Sequence, residues 1–338
     1  MPRINLNNFL DDDFEFLDER HMRGRSSRKP RRSAEEVMAE LTDHLDSLEN
    51  FEFTYNASRH ERAWIIDSLG GFYDQQWLYD VLRLLKGGKE ASVYQCSANP
   101  NTTAAFIAAK VYRPRRFRNL KKDHIYREGR DRLDADGNTI QDDGMQHAMN
   151  KRTSFGLELL HTSWIEHEFK TLQTLSAAGA DVPIPYASGN NAILMEFIGD
   201  EHTPALTMNG IELASSEARL LFERVMHNVD LMLANGRVHG DLSAYNILYW
   251  DGDITLIDFP QAIHPDRNQN AFAIFERDVR RICEYFSRQG VHQDAHKLAV
   301  DLWKSHQHSL RPQFDLHLLD ADDDGDRRFW DALKDDEG

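Results

Sequence analysis

Alternating apolar and polar residues predict a β-hairpin in the second half of the chain. Two β-prone runs, Ile247 to Trp250 and Ile254 to Ile257, flank the dipeptide Asp251-Gly252. An Asp-Gly dipeptide between two such runs is a strong signal for a two-residue hairpin turn. We therefore expect two antiparallel strands that are joined at this turn.

Other strands and helices are predicted around this hairpin. Apolar or β-prone runs predict strands within 82–96, which a glycine-rich turn divides, and within 104–113 and 193–200. Apolar residues at helical spacing predict helices over about 59–69, which would end at Gly70-Gly71, over 163–178 and 215–235, and from about a dozen residues after Asp258. A capping box predicts one more helix that starts at Ser33.

Three oxygen-bearing side chains lie at the ends of the predicted hairpin. Asp241 and Asn246 come just before its first strand, and Asp258 comes just after its second. Antiparallel pairing brings these strand ends together, so the sequence predicts a magnesium and phosphate site. In phosphoryl transfer, Asp241 would accept or orient the proton of the nucleophile, and Asn246 and Asp258 would bind the metal.

The alternative is that Asp241 and Asn246 only stabilise local turns, since Asp and Asn often do so. The joint pattern is more specific than either residue alone. It combines His-Gly-Asp, an asparagine five residues after the aspartate, a hairpin and Ile-Asp-Phe. This combination favours the catalytic interpretation.

One lysine lies within a mostly apolar predicted strand. Burial of the Lys110 ammonium is costly unless it has a partner, and in kinases the partners are the α- and β-phosphates and a glutamate of the next helix. In the helix 163–178, Glu168 lies at the edge of the apolar stripe, whereas Glu166 points away. We therefore expect a Lys110–Glu168 pair. The alternatives are a lysine that reaches the surface and an ordinary salt bridge at the edge of the stripe.

Two further segments are candidates for nucleotide contacts. The glycine-rich turn could lay backbone N–H groups over phosphates, with Lys89 and Ser92 as candidate phosphate contacts. The last strand upstream of the hairpin is a candidate hinge between two lobes. There Met195 would line an adenine pocket, and Glu196 with Ile198 would offer backbone groups to the base. Met195 is equally compatible with core packing.

Composition indicates a soluble, cytoplasmic protein. The chain has 338 residues, 41% of them hydrophobic, enough for a two-lobed domain with a sizeable core. No apolar run approaches the roughly 18 residues of a membrane span, and the N-terminus lacks the plan of a signal peptide. Cys96 and Cys283 alone provide no disulfide framework. The formal net charge of −16 argues against general adhesion to nucleic acid or anionic membranes.

Charge is nevertheless distributed unevenly along the chain. Residues 20–32 contain seven Arg or Lys and no acidic residue. This segment is either an electrostatic arm for RNA or another polyanion, or a solvated tail. The charged segment 114–160 is too long for an ordinary connection, so we expect an insertion there. The acidic C-terminal segment is expected to be a solvated extension.

Four short motifs together resemble those of the RIO-type atypical serine/threonine protein kinases, and the resemblance covers about Leu82 to Gln289. The motifs are GKEASVY from Gly88, AAKVY from Ala108, HGDLSAYNIL from His239 and IDFPQA from Ile257. The resemblance implies an α+β, bilobal protein-kinase-like fold. A small β-rich N-lobe and a mostly helical C-lobe would follow an N-terminal helical extension.

The same resemblance implies a function. The ligands would be ATP and Mg²⁺, with Mn²⁺ as an alternative metal. The reaction would be serine/threonine phosphorylation, autophosphorylation, or an ATPase cycle with Asp258 as a transient phosphoacceptor. RIO proteins act in maturation of the small ribosomal subunit, so residues 20–32 are a candidate contact for that subunit or its rRNA. The expected domains are a basic arm (1–35), a helical extension (36–80), the N-lobe (81–201), the C-lobe (202–310) and an acidic tail (311–338).

Two other functions stay open at this point. His-Gly-Asp with its following asparagine is shared with the aminoglycoside and choline phosphotransferases. No long activation segment that ends in Ala-Pro-Glu follows Asp258, which leaves a protein substrate uncertain. A small-molecule phosphotransferase is therefore the second hypothesis. The third is an RNA- or ribosome-binding assembly factor that uses ATP as a conformational ligand.

Overall fold

A computed structural model describes residues 51–308 except 89, 101, 103, 114–127 and 190. The predicted helix at Ser33, the basic segment 20–32 and the acidic segment 311–338 lie outside the described residues. Within them, a β-rich first lobe is followed by a mainly helical second lobe. None of the described helices has the length and apolarity needed to cross a membrane.

The first lobe is built on a five-stranded antiparallel sheet in the order β1-β2-β3-β5-β4. Its strands are β1 (Leu78–Gly87), β2 (Ala91–Ala98), β3 (Phe106–Tyr112), β4 (Pro185–Gly189) and β5 (Ala192–Glu196). Side chains alternate across β3. Ile107 and Ala109 pack in a core within this lobe, whereas Ala108 and Tyr112 join the core shared with the second lobe. Lys110 therefore lies on the face that looks toward the second lobe.

Helix α1 (Arg59–Asp74) covers the other face of this sheet. Ser58 caps its start, because the Ser58 hydroxyl accepts a hydrogen bond from the Glu61 amide. The predicted stop at Gly70-Gly71 is wrong, since the helix continues through both glycines. Phe72 lies just beyond them and is buried against the sheet. Its burial is worth about 1.5–3 kcal/mol, which offsets the helix penalty of the two glycines, about 1 kcal/mol each.

Two helices pack against each other between β3 and β4. They are α2 (Asp143–Lys151) and α3 (Ser154–Ala177). The expected insertion is thus partly helical, and α3 begins earlier than the predicted position 163. Thr153 caps α3 by accepting from the Gly156 amide. Gly156 is needed here because a Cβ at this position would lie 1.9 Å from the Ala148 carbonyl oxygen.

Up to residue 308, the second lobe contains three α-helices and a small sheet. The helices are α4 (Ser215–Ala234), α5 (Ala271–Arg288) and α6 (Ala295–Ser305). The sheet has the order β6-β7-β8, with β6 (Leu206–Thr207), β7 (Ile247–Trp250) and β8 (Asp253–Leu256). The predicted hairpin is confirmed, and its second strand is shifted by one residue. Asp251 and Gly252 have φ angles of 50° and 85°, as a type I′ turn requires.

Candidate active site

A cleft of about 600 Å³ lies between the two lobes, a volume typical of small-ligand sites. Ala91 and Val93 of β2 and Lys110 of β3 line its upper wall. Asp241 and Asp258, from the two ends of the hairpin region, line its lower wall. The convergence that the hairpin pattern predicted is therefore present at one cleft.

Lys110 binds two carboxylates across this cleft. Its Nζ lies 2.6 Å from Glu168 Oε1 and 2.5 Å from Asp258 Oδ1. The Lys110 side chain is 10% exposed and that of Glu168 is 1% exposed. Burial alone would lower the pKa of Lys110, but the two carboxylates outweigh it and hold that pKa above its usual value. The predicted Lys110–Glu168 pair is present, and its extension to Asp258 was not predicted.

Glu168 is held by two further donors. The Tyr112 hydroxyl donates to Glu168 Oε2 at 2.6 Å, and the Phe259 amide donates to Oε1 at 3.3 Å. Sequence reasoning missed Tyr112, although its position two residues after Lys110 puts both side chains on one face of β3. The Glu168 carboxylate is thus fixed from the sheet and from the segment after Asp258. This fixation in turn positions the Lys110 ammonium.

Asp258 lies in a largely buried region, but its side chain is open to the cleft. Its backbone has a φ of 73°, in the left-handed region, and its side chain is 41% exposed. Burial would raise the pKa of Asp258, but the Lys110 ammonium outweighs it and holds that pKa below its usual value. Asp258 is therefore ionised and presents its carboxylate to the cleft.

Asp241 also presents a carboxylate to the cleft, with 44% of its side chain exposed. Asn246 Nδ2 donates to the Asp241 carbonyl at 2.9 Å and lies 3.3 Å from its Oδ2. Burial raises the pKa of Asp241 and the Asp278 carboxylate adds to the rise, whereas Arg281 opposes it. Asn246 is itself buried and absent from the cleft wall. Since its amide nitrogen makes these contacts, its amide oxygen is the atom that would be left to bind a metal.

Helix α5 holds the turn that carries Asp241. Asp278 accepts a 2.8 Å hydrogen bond from the Gly240 amide, and Arg277 donates to the Gly240 carbonyl at 2.5 Å. Gly240 has a φ of 84°, and a Cβ there would lie 2.3 Å from the Gln261 carbonyl oxygen. The turn therefore requires glycine both for its conformation and for this close approach.

The other sequence-predicted residues divide into three groups. Met195, Glu196 and Ile198 all line the cleft. The Glu196 amide donates to the Ile184 carbonyl at 2.8 Å, so this amide is already engaged within the protein. The Ser92 side chain is buried and absent from the cleft wall, because alternation along β2 turns its neighbours toward the cleft instead. Lys89 lies outside the described residues.

The donor set fits Mg²⁺ bound together with a nucleotide. Among the described residues, no three His, Cys, Asp or Glu side chains form a cluster that could hold a metal by itself. One carboxylate, Asp258, and one amide oxygen, Asn246, are the candidate protein ligands. Mg²⁺ is typically bound by one or two carboxylates together with substrate phosphates and water. A cation here would accordingly depend on phosphate oxygens.

Comparison with known proteins identifies the family. A family model described as RIO domain matches residues 92–298, which is more than half of the chain. The chain belongs to the RIO family. The α+β fold expected for a RIO protein is confirmed: an antiparallel five-stranded sheet precedes a mainly helical lobe, and the cleft lies between them. The motifs that suggested the family from sequence all contribute residues to this cleft or its supports.

Two relatives and one solved structure are similar to this chain. The RIO-type serine/threonine-protein kinase Rio1 of Haloferax volcanii is 30% identical over 216 residues, which are 62% of this chain and 64% of that protein. Human serine/threonine-protein kinase RIO1 is 31% identical over 130 residues, 38% of this chain and 23% of the human protein. The chain thus spans less than two thirds of the length of either relative. A Rio2 kinase from Chaetomium thermophilum, solved as an ADP/Mg²⁺-phosphoaspartate complex, aligns with a TM-score of 0.49 and 20% identity, covering 80% of this chain and 74% of that one.

His167 supports the RIO-type IDFPQA segment from α3. Its Nε2 lies 2.8 Å from the Ala262 carbonyl oxygen. Because a carbonyl only accepts hydrogen bonds, Nε2 carries the proton. Burial, followed by the charge of Arg130, lowers the pKa of His167 from 6.5 to about 3. His167 is therefore neutral in the folded protein at any pH above that value.

Acid should destabilise the protein through this histidine. Below pH 6.5 His167 is protonated in the unfolded chain but stays neutral in the folded protein. The free energy of unfolding therefore falls as the pH drops from 6.5 toward 3. The contribution of this single group is up to about 2 kcal/mol at pH 5. Urea unfolding of wild type and His167→Gln at pH 7 and pH 5 measures it. We expect a smaller loss of stability in the variant, and an equal loss in both proteins would contradict the assignment.

Proposed function

We propose that this RIO protein binds Mg-ATP in the cleft and transfers the γ-phosphate, as an atypical serine/threonine kinase or as an ATPase. The observation that carries this proposal is the convergence of Lys110, Glu168, Asp258 and Asp241 at one cleft. The names of the relatives, serine/threonine-protein kinases, support the same activity. Phosphoryl transfer requires an oriented ammonium, oxygen ligands for the metal and a carboxylate beside the acceptor, and residues at this cleft are candidates for each of these parts.

Each residue has a proposed task in this reaction. Lys110 orients the nucleotide phosphates, and Glu168 keeps its ammonium in place. Asp241 accepts or orients the proton of the attacking hydroxyl. Asn246 and Asp258 would hold Mg²⁺ or Mn²⁺, which neutralises phosphate charge when bound. Met195, Glu196 and Ile198 form the part of the wall against which the base would lie.

Asp258 is also the proposed phosphoacceptor of an ATPase cycle. An ionised Asp258 oxygen would attack the γ-phosphorus, the bond to the β-phosphate oxygen would break, and ADP would leave. Water would then hydrolyse the aspartyl phosphate and release inorganic phosphate. Two observations support this role: the Asp258 pKa lies below its usual value, and its side chain is open to the cleft.

The short connection after Asp258 favours a second candidate. Helix α5 begins at Ala271, and Asn270 precedes it as cap, so few residues remain for a platform that would hold a substrate peptide. A small-molecule acceptor therefore stays an alternative. The third possibility is an assembly factor that binds RNA or ribosomal particles through residues 20–32. Contact with the small ribosomal subunit and a cytoplasmic location both remain predictions.

ADP formation from Mg-ATP tests the proposal. The purified protein is assayed alone, with small ribosomal subunits, and with a panel of aminoglycosides and sugar alcohols, each with and without EDTA. We expect metal-dependent ADP formation that small ribosomal subunits stimulate. Stimulation by a small alcohol alone would support the second candidate. Nucleotide binding without ADP formation under any condition would support the assembly factor and contradict phosphotransfer.

A further inference from the structure

Arg281 contacts the carboxylate of Asp241. Its Nη1 donates to Asp241 Oδ1 at 3.0 Å, and its side chain is 23% exposed. Asn246 lies near the other carboxylate oxygen, Oδ2, at 3.3 Å. The carboxylate is therefore contacted at both oxygens, from two different parts of the second lobe. These contacts restrict its rotation as well as its position.

Arg281 stands on the same face of α5 as the residues that hold the Gly240 backbone. Arg277 is four residues before it and Asp278 is three residues before it, which places all three on one face of the helix. An adjacent face of α5 is anchored in the core by Phe275, Ile282 and Phe286. The hydrogen bonds of Arg277 and Asp278 to the Gly240 backbone fix the position of α5 relative to the turn. Arg281 therefore projects from a helix that is held in place beside Asp241.

Arg281 does not belong to the wall of the nucleotide cleft, whereas Asp241 does. The guanidinium therefore contacts Asp241 from outside the space that ATP would occupy. A group in this place can influence the acceptor step without contacting the nucleotide. Arg281 contacts Asp241, and Asp241 is the residue proposed to accept the proton of the attacking hydroxyl.

We propose that Arg281 is a positioning residue that fixes the Asp241 carboxylate for the acceptor hydroxyl and leaves nucleotide binding unaffected. This inference rests on the proposed phosphotransfer function. The guanidinium donates to Oδ1 in a charge-assisted hydrogen bond of 3.0 Å, and such bonds are stronger than neutral ones. Oδ2 is then the oxygen directed toward the hydroxyl. Loss of this orientation slows the step in which Asp241 acts.

Steady-state kinetics of Arg281→Gln, Arg281→Lys and Arg288→Gln test the inference. We expect Arg281→Gln to lower kcat for ADP formation by about 10- to 100-fold, since misplacement of a reacting group by about 1 Å can cost about 100-fold. The KM for ATP and the affinity for a fluorescent ADP analogue should stay at wild-type values. Arg281→Lys retains the positive charge and should recover part of kcat. Arg288→Gln removes the same charge from an exposed site on the same helix and should match wild type.

A double-mutant cycle separates positioning from a general structural role. If Arg281 acts through Asp241, Arg281→Gln should cause little further loss of kcat in an Asp241→Asn background. A purely structural role would instead give the same fold-loss in both backgrounds, and this result would overturn the inference. Should Arg281→Gln not fold, Arg281→Lys is used in the same cycle.

The failure of this inference is distinguishable from failure of the proposed function. Wild type without any ADP formation contradicts phosphotransfer itself. An active wild type with an equally active Arg281→Gln contradicts only the positioning role. A raised KM for ATP in Arg281→Gln would also overturn it, since Arg281 would then act on the nucleotide.

Discussion

Replacement of Asp241 by asparagine should lower kcat for ADP formation by about 10²–10⁴-fold, the usual contribution of a general base. This loss corresponds to a rise in the activation barrier of about 3–5 kcal/mol. Asparagine keeps the size of the side chain but cannot accept the proton of an attacking hydroxyl. Asp241 lines the cleft with 44% of its side chain exposed, so the substitution changes chemistry more than packing.

Three measurements interpret the Asp241→Asn result. The affinity for an ADP analogue should stay close to wild type, because the proposed nucleotide contacts lie on Lys110 and the candidate hinge. The midpoint of thermal unfolding shows whether the turn at Gly240 has kept its structure. Asp301→Asn, on the exposed side of α6, provides a matched control that should retain full activity. A fall in kcat of less than about tenfold would show that Asp241 is not the general base.

The parts of the site that the sequence predicted are those that depend on local periodicity. Asp251-Gly252 between two β-prone runs fixes the hairpin, and the hairpin brings Asp258 close to the segment of Asp241. Helical periodicity nominates Glu168 because it lies at the edge of one apolar stripe. In both cases a short-range pattern determines the direction of the side chain. The same pattern does not give burial, because Glu166, which was expected to point away from the stripe, is also buried and accepts a hydrogen bond from the Ser188 hydroxyl.

The parts that sequence reasoning missed depend on contacts between distant segments. Arg281 meets Asp241 only because α5 packs beside the turn, 40 residues further along the chain. Tyr112 and the Phe259 amide meet Glu168 for the same reason. Polar residues on an amphipathic helix look alike in sequence whether they face solvent or a functional group. Only the tertiary packing distinguishes the two cases.

The predicted ends of two helices are wrong because tertiary contacts outweigh the local preferences of the sequence. Helix α1 continues through Gly70-Gly71 because Phe72 gains burial against the sheet. Helix α3 starts at Ser154, because the Thr153 cap and the close approach of Gly156 to α2 support its first turns. Apolar periodicity does not register a cap or a close helix contact. It therefore placed the start of α3 too late and the end of α1 too early.

Replacement of Lys110 by methionine should reduce both activity and stability. Loss of the ammonium leaves Glu168, which is 1% exposed, and Asp258 without their common cation. Breaking a buried ion pair from one side costs about 3–5 kcal/mol, and the partial exposure of Asp258 places the expected loss near the lower end. We also expect kcat/KM for ATP to fall by about 10²–10³-fold, because the phosphates lose a preorganised positive group. Chemical unfolding and steady-state kinetics measure the two effects.

The double variant Lys110→Met with Glu168→Gln separates these two effects. Removal of the buried Glu168 charge should restore much of the lost stability, because the amide can still accept from the Tyr112 hydroxyl and the carboxylate that stays unpaired, that of Asp258, is 41% exposed. Activity should stay low, since the cation for the phosphates is still missing. A double variant that regained both would show that Lys110 serves only the fold. A double variant that regained stability alone would assign the ammonium to the nucleotide phosphates.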